Sequence, residues 1–305
     1  MTQTEKPAAT PWKTAQMVGS FLLGRVTSDP TRRVRRLYEI PSSYLMADHS
    51  TYINYGYWSN ECSTIDEASA ALADLLADTA GLQPDDDILD VGFGYGDQDF
   101  TWLRERKPAR IHGINIAPAQ VRAANRRAEA EGVADRLDFR VGSATAIDFP
   151  AARFDRVVAL ESALHFYPRK DFFTEAYRVL RPGGTLATTD VLPLDNDTPR
   201  LGMRSPVLMW VELTVGDDNW YNRDVYAKEL AAAGFVDIEV TSIREQVFDP
   251  WRRYILAKLE DPAFQRRMGK VYHRNLTRRW SDQELLQREM TLLDYVVARA
   301  TKPAV

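Results

Sequence analysis

A single cysteine, Cys62, stands in 305 residues. It leaves no intramolecular disulfide to form and excludes a cysteine-based zinc site. Histidine is nearly as scarce: His49, His112, His165 and His273 are scattered and show no metal-ligand spacing. No stretch of about 18 apolar residues is present, so no membrane-spanning helix is expected. The start, MTQTEKPAATPWK, has no basic beginning followed by an apolar core and a small-residue cleavage site. Met17, Val18 and the run Phe21-Leu22-Leu23 are apolar, but Gly19, Ser20 and Gly24 interrupt them. The expected address is cytoplasmic. An excess of positive charge is also lacking. Lys and Arg number 39 against 43 Asp and Glu, a net charge of −4, which argues against nucleic acid as the main partner.

What remains is an ordinary globular composition, 45% hydrophobic and 27% charged. The length suits one large α/β domain with an appendage. Residues 1–63 read as a helical N-terminal cap, led by about ten disordered residues. Met17, Phe21, Leu22 and Val26 recur at helical spacing. Arg32, Arg33, Arg35 and Arg36 form a basic cluster, read as a solvated helix face with anion binding as the alternative. Tyr44, Tyr52, Tyr55, Tyr57 and Trp58 make the next stretch strongly aromatic. They suit either a cap packed on the core or a wall of a small-molecule site.

From Thr64 the pattern changes. Ile65 to Ala80 is an amphipathic helix, and Gly81 fits its stop. Strands are expected at 87–91, 110–115, 137–141, 156–160 and 184–190, separated by helices near 98–106, 118–131 and 169–180. Alternation at this spacing means a parallel sheet with helices on both faces. Residues 64–192 thus read as a core, and 193–225 as a long irregular lid, apolar from Pro206 to Val211. Residues 226–305 supply a helix, a strand, a helical stretch from Pro250 to about Glu289, and a closing strand.

Asp90-Val91-Gly92-Phe93-Gly94-Tyr95-Gly96 sits where a strand hands over to a helix. Alternate glycines allow a tight turn and close approach of a ligand to the backbone. A phosphate-binding P-loop would need Gly-Lys-Ser/Thr, which is absent. The glycine spacing of a dinucleotide fingerprint is not met either. The wider pattern resembles the class I S-adenosylmethionine methyltransferases. The segments that carry it are ILDVGFGYGDQ, IHGINIAPAQ, RVGSATAIDFP, and FDRVVALESALHFY followed by RVLRPGGTL. TYINYGYW, VGFGYGDQDF, ESALHFYPRKDFF and FVDIEVTSIREQVFDPW are similar to the actinomycete specialised-metabolite branch. Sugar O-methyltransferases of erythromycin-type macrolides belong to that branch, and terpenoid C-methyltransferases are a related group.

The resemblance implies an α/β fold: a Rossmann-like, seven-stranded, mostly parallel sheet, with the helical cap and a helical insertion before the last strand. It implies S-adenosylmethionine as cofactor, with S-adenosylhomocysteine as product; the residues themselves show no sign of a catalytic metal. Gly92, Gly94 and Gly96 would pass under the methionine and ribose part, and Asp90 would accept from the loop or help hold the ammonium group. Asn115 stands where many relatives carry a ribose-gripping carboxylate, and an amide carbonyl accepts more weakly than a charge. Gln120 would assist it. Ser143 replaces the adenine-binding acid and, with the backbone of Ala144, would address the adenine edge. Tyr52 and Asn54 complete the expected cofactor contacts. His165 and Asp190 match a His/Asp pair thought to serve as base in related sugar O-methyltransferases, with Glu161 beside them.

Tyr57, Trp58, Trp210, Trp220 and Tyr221 are the expected substrate contacts. They suggest a large apolar pocket and a bulky hydrophobic acceptor. O-methylation of a hydroxyl on a macrolide-type glycoside is the leading expectation. C-methylation of a prenyl or terpenoid double bond, with or without cyclisation, is the alternative, since aromatic faces stabilise cations. A cofactor-binding non-transferase, a cyclase or partner subunit, is the third. Helices beyond the needs of the core fold suggest a homo-oligomer.

Overall fold

The computed structural model describes residues 6, 8, 10–38, 44–59, 61–200 and 206–304. The expected disordered lead-in lies largely outside them.

The sheet has seven strands in the order β3-β2-β1-β4-β5-β7-β6. These are β1 (Asp87–Val91), β2 (Arg110–Asn115), β3 (Leu137–Val141), β4 (Phe154–Leu160), β5 (Leu180–Pro193), β6 (Val236–Ser242) and β7 (Leu293–Thr301). The first five pair in parallel, and β7 runs antiparallel to both β5 and β6. Strand order reverses between β1 and β4. A crevice therefore opens beyond their carboxyl ends, where ligands bind in folds of this kind.

Five helices dress the strands: α3 (Ile65–Ala80), α4 (Asp97–Glu105), α5 (Pro118–Ala130), α6 (Arg169–Val179) and α8 (Arg223–Ala232). Local chemistry sets their ends. Thr64 and Glu67 close a reciprocal capping box at the start of α3, and Gly81, with φ +63°, ends it. Trp102, Phe100 and Phe139 pack on one side of the sheet; Phe172, Phe173 and Tyr226 pack on the other. Burial on both faces explains the near-continuous apolar strands.

The remaining helices gather over the crevice. At the N-terminal end are α1 (Pro11–Val26) and α2 (Pro30–Leu37), the latter capped by Asp29. After β5 comes α7 (Pro206–Thr214), and after β6 come α9 (Arg244–Leu259), α10 (Pro262–Met268), α11 (Lys270–Trp280) and α12 (Gln283–Met290). Two expectations need correction here. The segment 193–225 is not irregular throughout: its apolar run forms α7, which buries Met209 and Val211 and packs on α12. The C-terminal helical stretch is four helices. Asp261 and Asp282 cap new starts, and Gly269, with φ +78°, turns the chain between α10 and α11. Strand β5 also runs further than expected at both ends: Leu180 at its start pairs with Phe154 of β4, and β7 pairs with it on to Pro193.

Candidate active site

The glycine turn joins β1 to α4. Gly92 has φ +83°, and a Cβ there would stand 2.6 Å from the Cβ of Ser162. Ser162 in turn donates to the Val91 carbonyl at 2.7 Å, tying the β4 turn to the β1 turn. Gly94, at φ +61°, faces open space. Gly96 is the N-cap of α4 at φ +82°. A cleft runs along this turn, lined by Gly92, Gly94, Asn115, Gln120, Ser143 and Ala144, with Tyr52 and Asn54 closing it from the N-terminal side. Asp90 does not line the cleft. Its Oδ2 accepts from Gln98 Nε2 at 2.8 Å, and burial pushes its carboxyl up to about 7. Asp99 beside it is pushed up further, by burial and then by Asp90, so the two share one negative charge at most.

Asn115 is already engaged. Its Nδ2 donates to the Gly94 carbonyl at 3.2 Å and to Gln120 Oε1 at 2.8 Å, and its Oδ1 accepts from Ala117 N–H at 3.3 Å. The Ser143 hydroxyl lies 3.1 Å from that of Thr145 and accepts from the Thr145 N–H. The Asn54 Nδ2 is a buried donor with no hydrogen-bond partner among the described residues. An open glycine cradle with an orphaned amide donor at its end fits a cofactor bearing a carboxylate and a ribose.

A second, larger cavity of about 620 Å³ lies under α1, α2, α7 and α11. It shares Tyr38, Tyr52, Ile53, Asn54, Glu161 and His165 with the cleft along the glycine turn. Glu161 follows β4 at φ +46°, a backbone position that ordinary side chains avoid. Its Oε2 accepts from the Tyr55 N–H at 2.9 Å and the Tyr295 hydroxyl at 2.5 Å. Loss of bulk water pushes this carboxyl up to about 8, against those two hydrogen bonds. The same desolvation pushes His165 down to about 3, so its ring is neutral. His165 Nε2 lies 2.6 Å from the Tyr38 hydroxyl, which also accepts from Trp210 Nε1 at 3.3 Å.

The expected His165/Asp190 contact is not formed. Asp190 is fully buried and its Oδ2 stands 3.2 Å from Arg169 Nε. Burial pushes the Asp190 carboxyl up to about 6, opposed by Arg169. Arg169 also donates to the Ala163 carbonyl at 3.2 Å, so the pair braces the short helical turn Ala163–His165 instead of touching the imidazole. Arg169, two residues past the segment ESALHFY, is the competing partner, and a guanidinium competes better than a neutral ring for a buried carboxylate.

Of the five expected substrate contacts, Trp210 lines the large cavity. The others face elsewhere. Trp58 Nε1 donates to the Tyr55 carbonyl and its ring packs on Tyr254. Tyr57 packs on the core. Trp220 donates to the Thr198 carbonyl beneath the Arg200 guanidinium, and Tyr221 stacks under Arg169. The Trp58 and Trp220 rings serve as plugs with satisfied polar tips, whereas the Tyr221 hydroxyl is buried with no hydrogen-bond partner among the described residues. Tyr38 was not expected at the site. The sequence offers only an aromatic residue after a basic helix, and nothing local marks it.

The chain matches the family model described as a methyltransferase domain over residues 88–184. It is 44% identical over 281 residues to the erythromycin 3''-O-methyltransferase of Saccharopolyspora erythraea, covering 90% of this chain and 91% of that protein. Over 46% of this chain and 51% of the other, it is 39% identical to the 27-O-demethylrifamycin SV methyltransferase of Amycolatopsis mediterranei. Among solved structures, the [4+2]-cyclase SpnF shares the fold with a TM-score of 0.65 at 23% identity, over 99% of this chain and 100% of that one. The geranyl diphosphate C-methyltransferase of Streptomyces coelicolor A3(2) does so at 0.63 and 18%, over 91% and 99%. Identity sustained across nine tenths of the chain, on a sheet whose switch point carries the glycine turn, places this protein in the family of class I S-adenosylmethionine-dependent methyltransferases.

Proposed function

We propose that the protein methylates a hydroxyl group on a bulky apolar natural product of the macrolide-glycoside type, with Glu161 and His165 handling the acceptor's proton. The observation that carries this reading is the junction of the two cavities at Tyr38, Tyr52, Asn54, Glu161 and His165. A cofactor in the cleft and an acceptor in the large cavity would meet at these residues and the adjoining Ile53. The 44% identity to the erythromycin 3''-O-methyltransferase of Saccharopolyspora erythraea supports the acceptor class. When bound, S-adenosylmethionine supplies an electrophilic methyl group on a sulfonium sulfur.

The chain's own residues do the rest. The backbone at Gly92 and Gly94 leaves room for the cofactor, Asn54 offers a free donor, and Asn115, Gln120, Ser143 and Ala144 line its far end. Alignment in a dry pocket supplies up to about 7–11 kcal/mol in well-oriented systems. Glu161 takes the hydroxyl proton: its carboxyl titrates near 8, matched to the task, whereas His165 is a weak base in place. His165 orients the hydroxyl, in the position that Tyr38 occupies against Nε2. Asp190 acts at a distance, by fixing Arg169 and through it the turn that carries His165.

The aromatic faces of Tyr38, Trp210 and Trp251 along the cavity favour a second reading, C-methylation of a prenyl double bond through a cation. Methyl-carbon-13-labelled cofactor, offered with pools of glycosylated macrolides and prenylated compounds, separates the two. A labelled methoxyl carbon in the product supports O-methylation. A labelled aliphatic methyl replaces it with the second reading. Tight cofactor binding without label transfer to either pool overturns both.

A further inference from the structure

The large cavity is apolar along its length and basic at its solvent end. Arg25, Arg36, Arg278 and Arg279 line it, and none of them lines the cofactor cleft. Three of the four are exposed and Arg36 is half-buried. Glu161, at the opposite end, is the one carboxyl among the described lining residues. None of the four arginines has a carboxylate within ion-pairing distance among the described residues. Their contacts are neutral: Arg36 Nη1 donates to Thr27 Oγ1 at 3.2 Å, and Arg279 Nη1 to the Met209 sulfur at 3.0 Å. Elsewhere on the same helices the pattern differs; Arg32 lies 3.9 Å from Asp29.

A helix end explains part of this. Each of the four stands in the last turn of its helix, α1, α2 or α11, where a cation offsets the dipole. Three helix ends carry about half a negative charge each, against four full positive charges. A surplus of about two and a half positive charges remains, on a protein whose net charge is −4. Guanidinium groups that line one cavity, with no carboxylate paired to them among the described residues, offer a receptor for a carboxylate or a phosphate.

We propose that the acceptor carries an oxyanion, a carboxylate or a phosphate, at the end of its apolar body remote from the methylated atom, and that Arg25, Arg36, Arg278 and Arg279 hold it at the cavity mouth. This rests on the large cavity being the acceptor site. It sets the anion subsite apart from Glu161 and His165. It also selects against acceptors with a cationic amine at that end, by like-charge repulsion.

The test is binding, read separately from methyl transfer. Trp210, Trp251 and Trp280 line the cavity and report occupancy by fluorescence. Farnesoic acid, its methyl ester, farnesyl monophosphate, farnesol and farnesylamine are titrated into the protein with S-adenosylhomocysteine present. The acid and the phosphate bind about tenfold or more tightly than the ester and the alcohol, and the amine most weakly. That advantage shrinks with salt. It falls in Arg278→Gln/Arg279→Gln and in Arg25→Gln/Arg36→Gln, but not in Arg274→Gln, an exposed position of α11 that does not line the cavity. Acid against phosphate identifies the oxyanion. Equal binding of the neutral and anionic probes, no binding by any of them, or an advantage untouched by the arginine variants overturns the proposal. Failure of methyl transfer to every labelled acceptor, with anion selectivity intact, sinks the methylation reading instead.

Discussion

In the proposed mechanism Glu161 takes the acceptor's proton, and that role is open to test. Its carboxyl is held up to about 8 by loss of bulk water. It is therefore protonated at neutral pH and becomes a competent base as pH rises. kcat/KM should climb through that range in the wild type. Glu161→Gln should lose about 10²–10⁴-fold and flatten the profile, which a pH–rate series checks. The same shift acts on stability. A carboxyl whose folded pKa lies above its unfolded value stabilises fully below the unfolded value of 4.5, and loses that contribution as pH rises through about 8. Melting temperatures from pH 5 to pH 9 should therefore fall more in the wild type than in Glu161→Gln. His165 asks for a different readout. His165→Ala should lower kcat with little change in cofactor affinity, since the ring borders the junction and not the ribose end of the cleft. A mutant near the wild-type rate would remove His165 from the mechanism.

At the scale of elements, two turns hold the site together. The β1–α4 turn has no room for a side chain at Gly92, where the neighbour is the Cβ of Ser162 and cannot swing aside. Gly92→Ala adds strain at φ +83° as well, at a cost of about 1–3 kcal/mol. Isothermal titration with S-adenosylhomocysteine should show weakened binding in that variant. The β4 turn depends on the Arg169–Asp190 pair, whose side chains are fully buried. Asp190→Asn leaves a charge unmatched, and breaking such a pair costs about 3–5 kcal/mol. A urea midpoint shifted to match is expected, with a drop in kcat as the Ala163–His165 turn loosens. Were Asp190 instead the partner of His165, kcat would fall with stability nearly unchanged.

The whole molecule places a catalytic crevice under a roof of helices that the core fold does not require. Helix α1 brings Met17, Phe21, Leu22 and Arg25 to the cavity, yet leaves Trp12, Leu23 and Val26, which do not line it, largely exposed. So much apolar surface on one helix suits contact with another chain. We expect a homo-oligomer, and light scattering should give a mass that is a multiple of 34.7 kDa. A monomer mass at micromolar concentration would count against it. None of the described helices is long and apolar enough to cross a membrane.

Periodicity and local chemistry made much of this legible in advance. The alternation from Ile65 to Asp190 specified the parallel sheet, because strands buried on both faces read as apolar runs between amphipathic helices. The glycine turn announced itself, because only glycine suits positive φ at Gly92, Gly94 and Gly96. The roof was less legible. Helix α7 was hidden in an apolar run without a helical stripe, and the breaks between α9 and α12 rest on single caps.

Tertiary structure alone decided who meets whom. Asp190 and His165 lie in adjacent motifs, yet Arg169 takes the carboxylate because a full charge competes better than a neutral ring in a dry interior. Tyr38 reaches His165 across 127 positions of sequence, a contact no local pattern encodes. Trp58, Trp220 and Tyr221 turned out to seal the fold, while four arginines from three helices came together at one cavity. The sequence determined the sheet, the cofactor turn and the family, since each depends on nearest neighbours and backbone conformation. The large cavity depends on long-range packing, and only the folded chain assembles it.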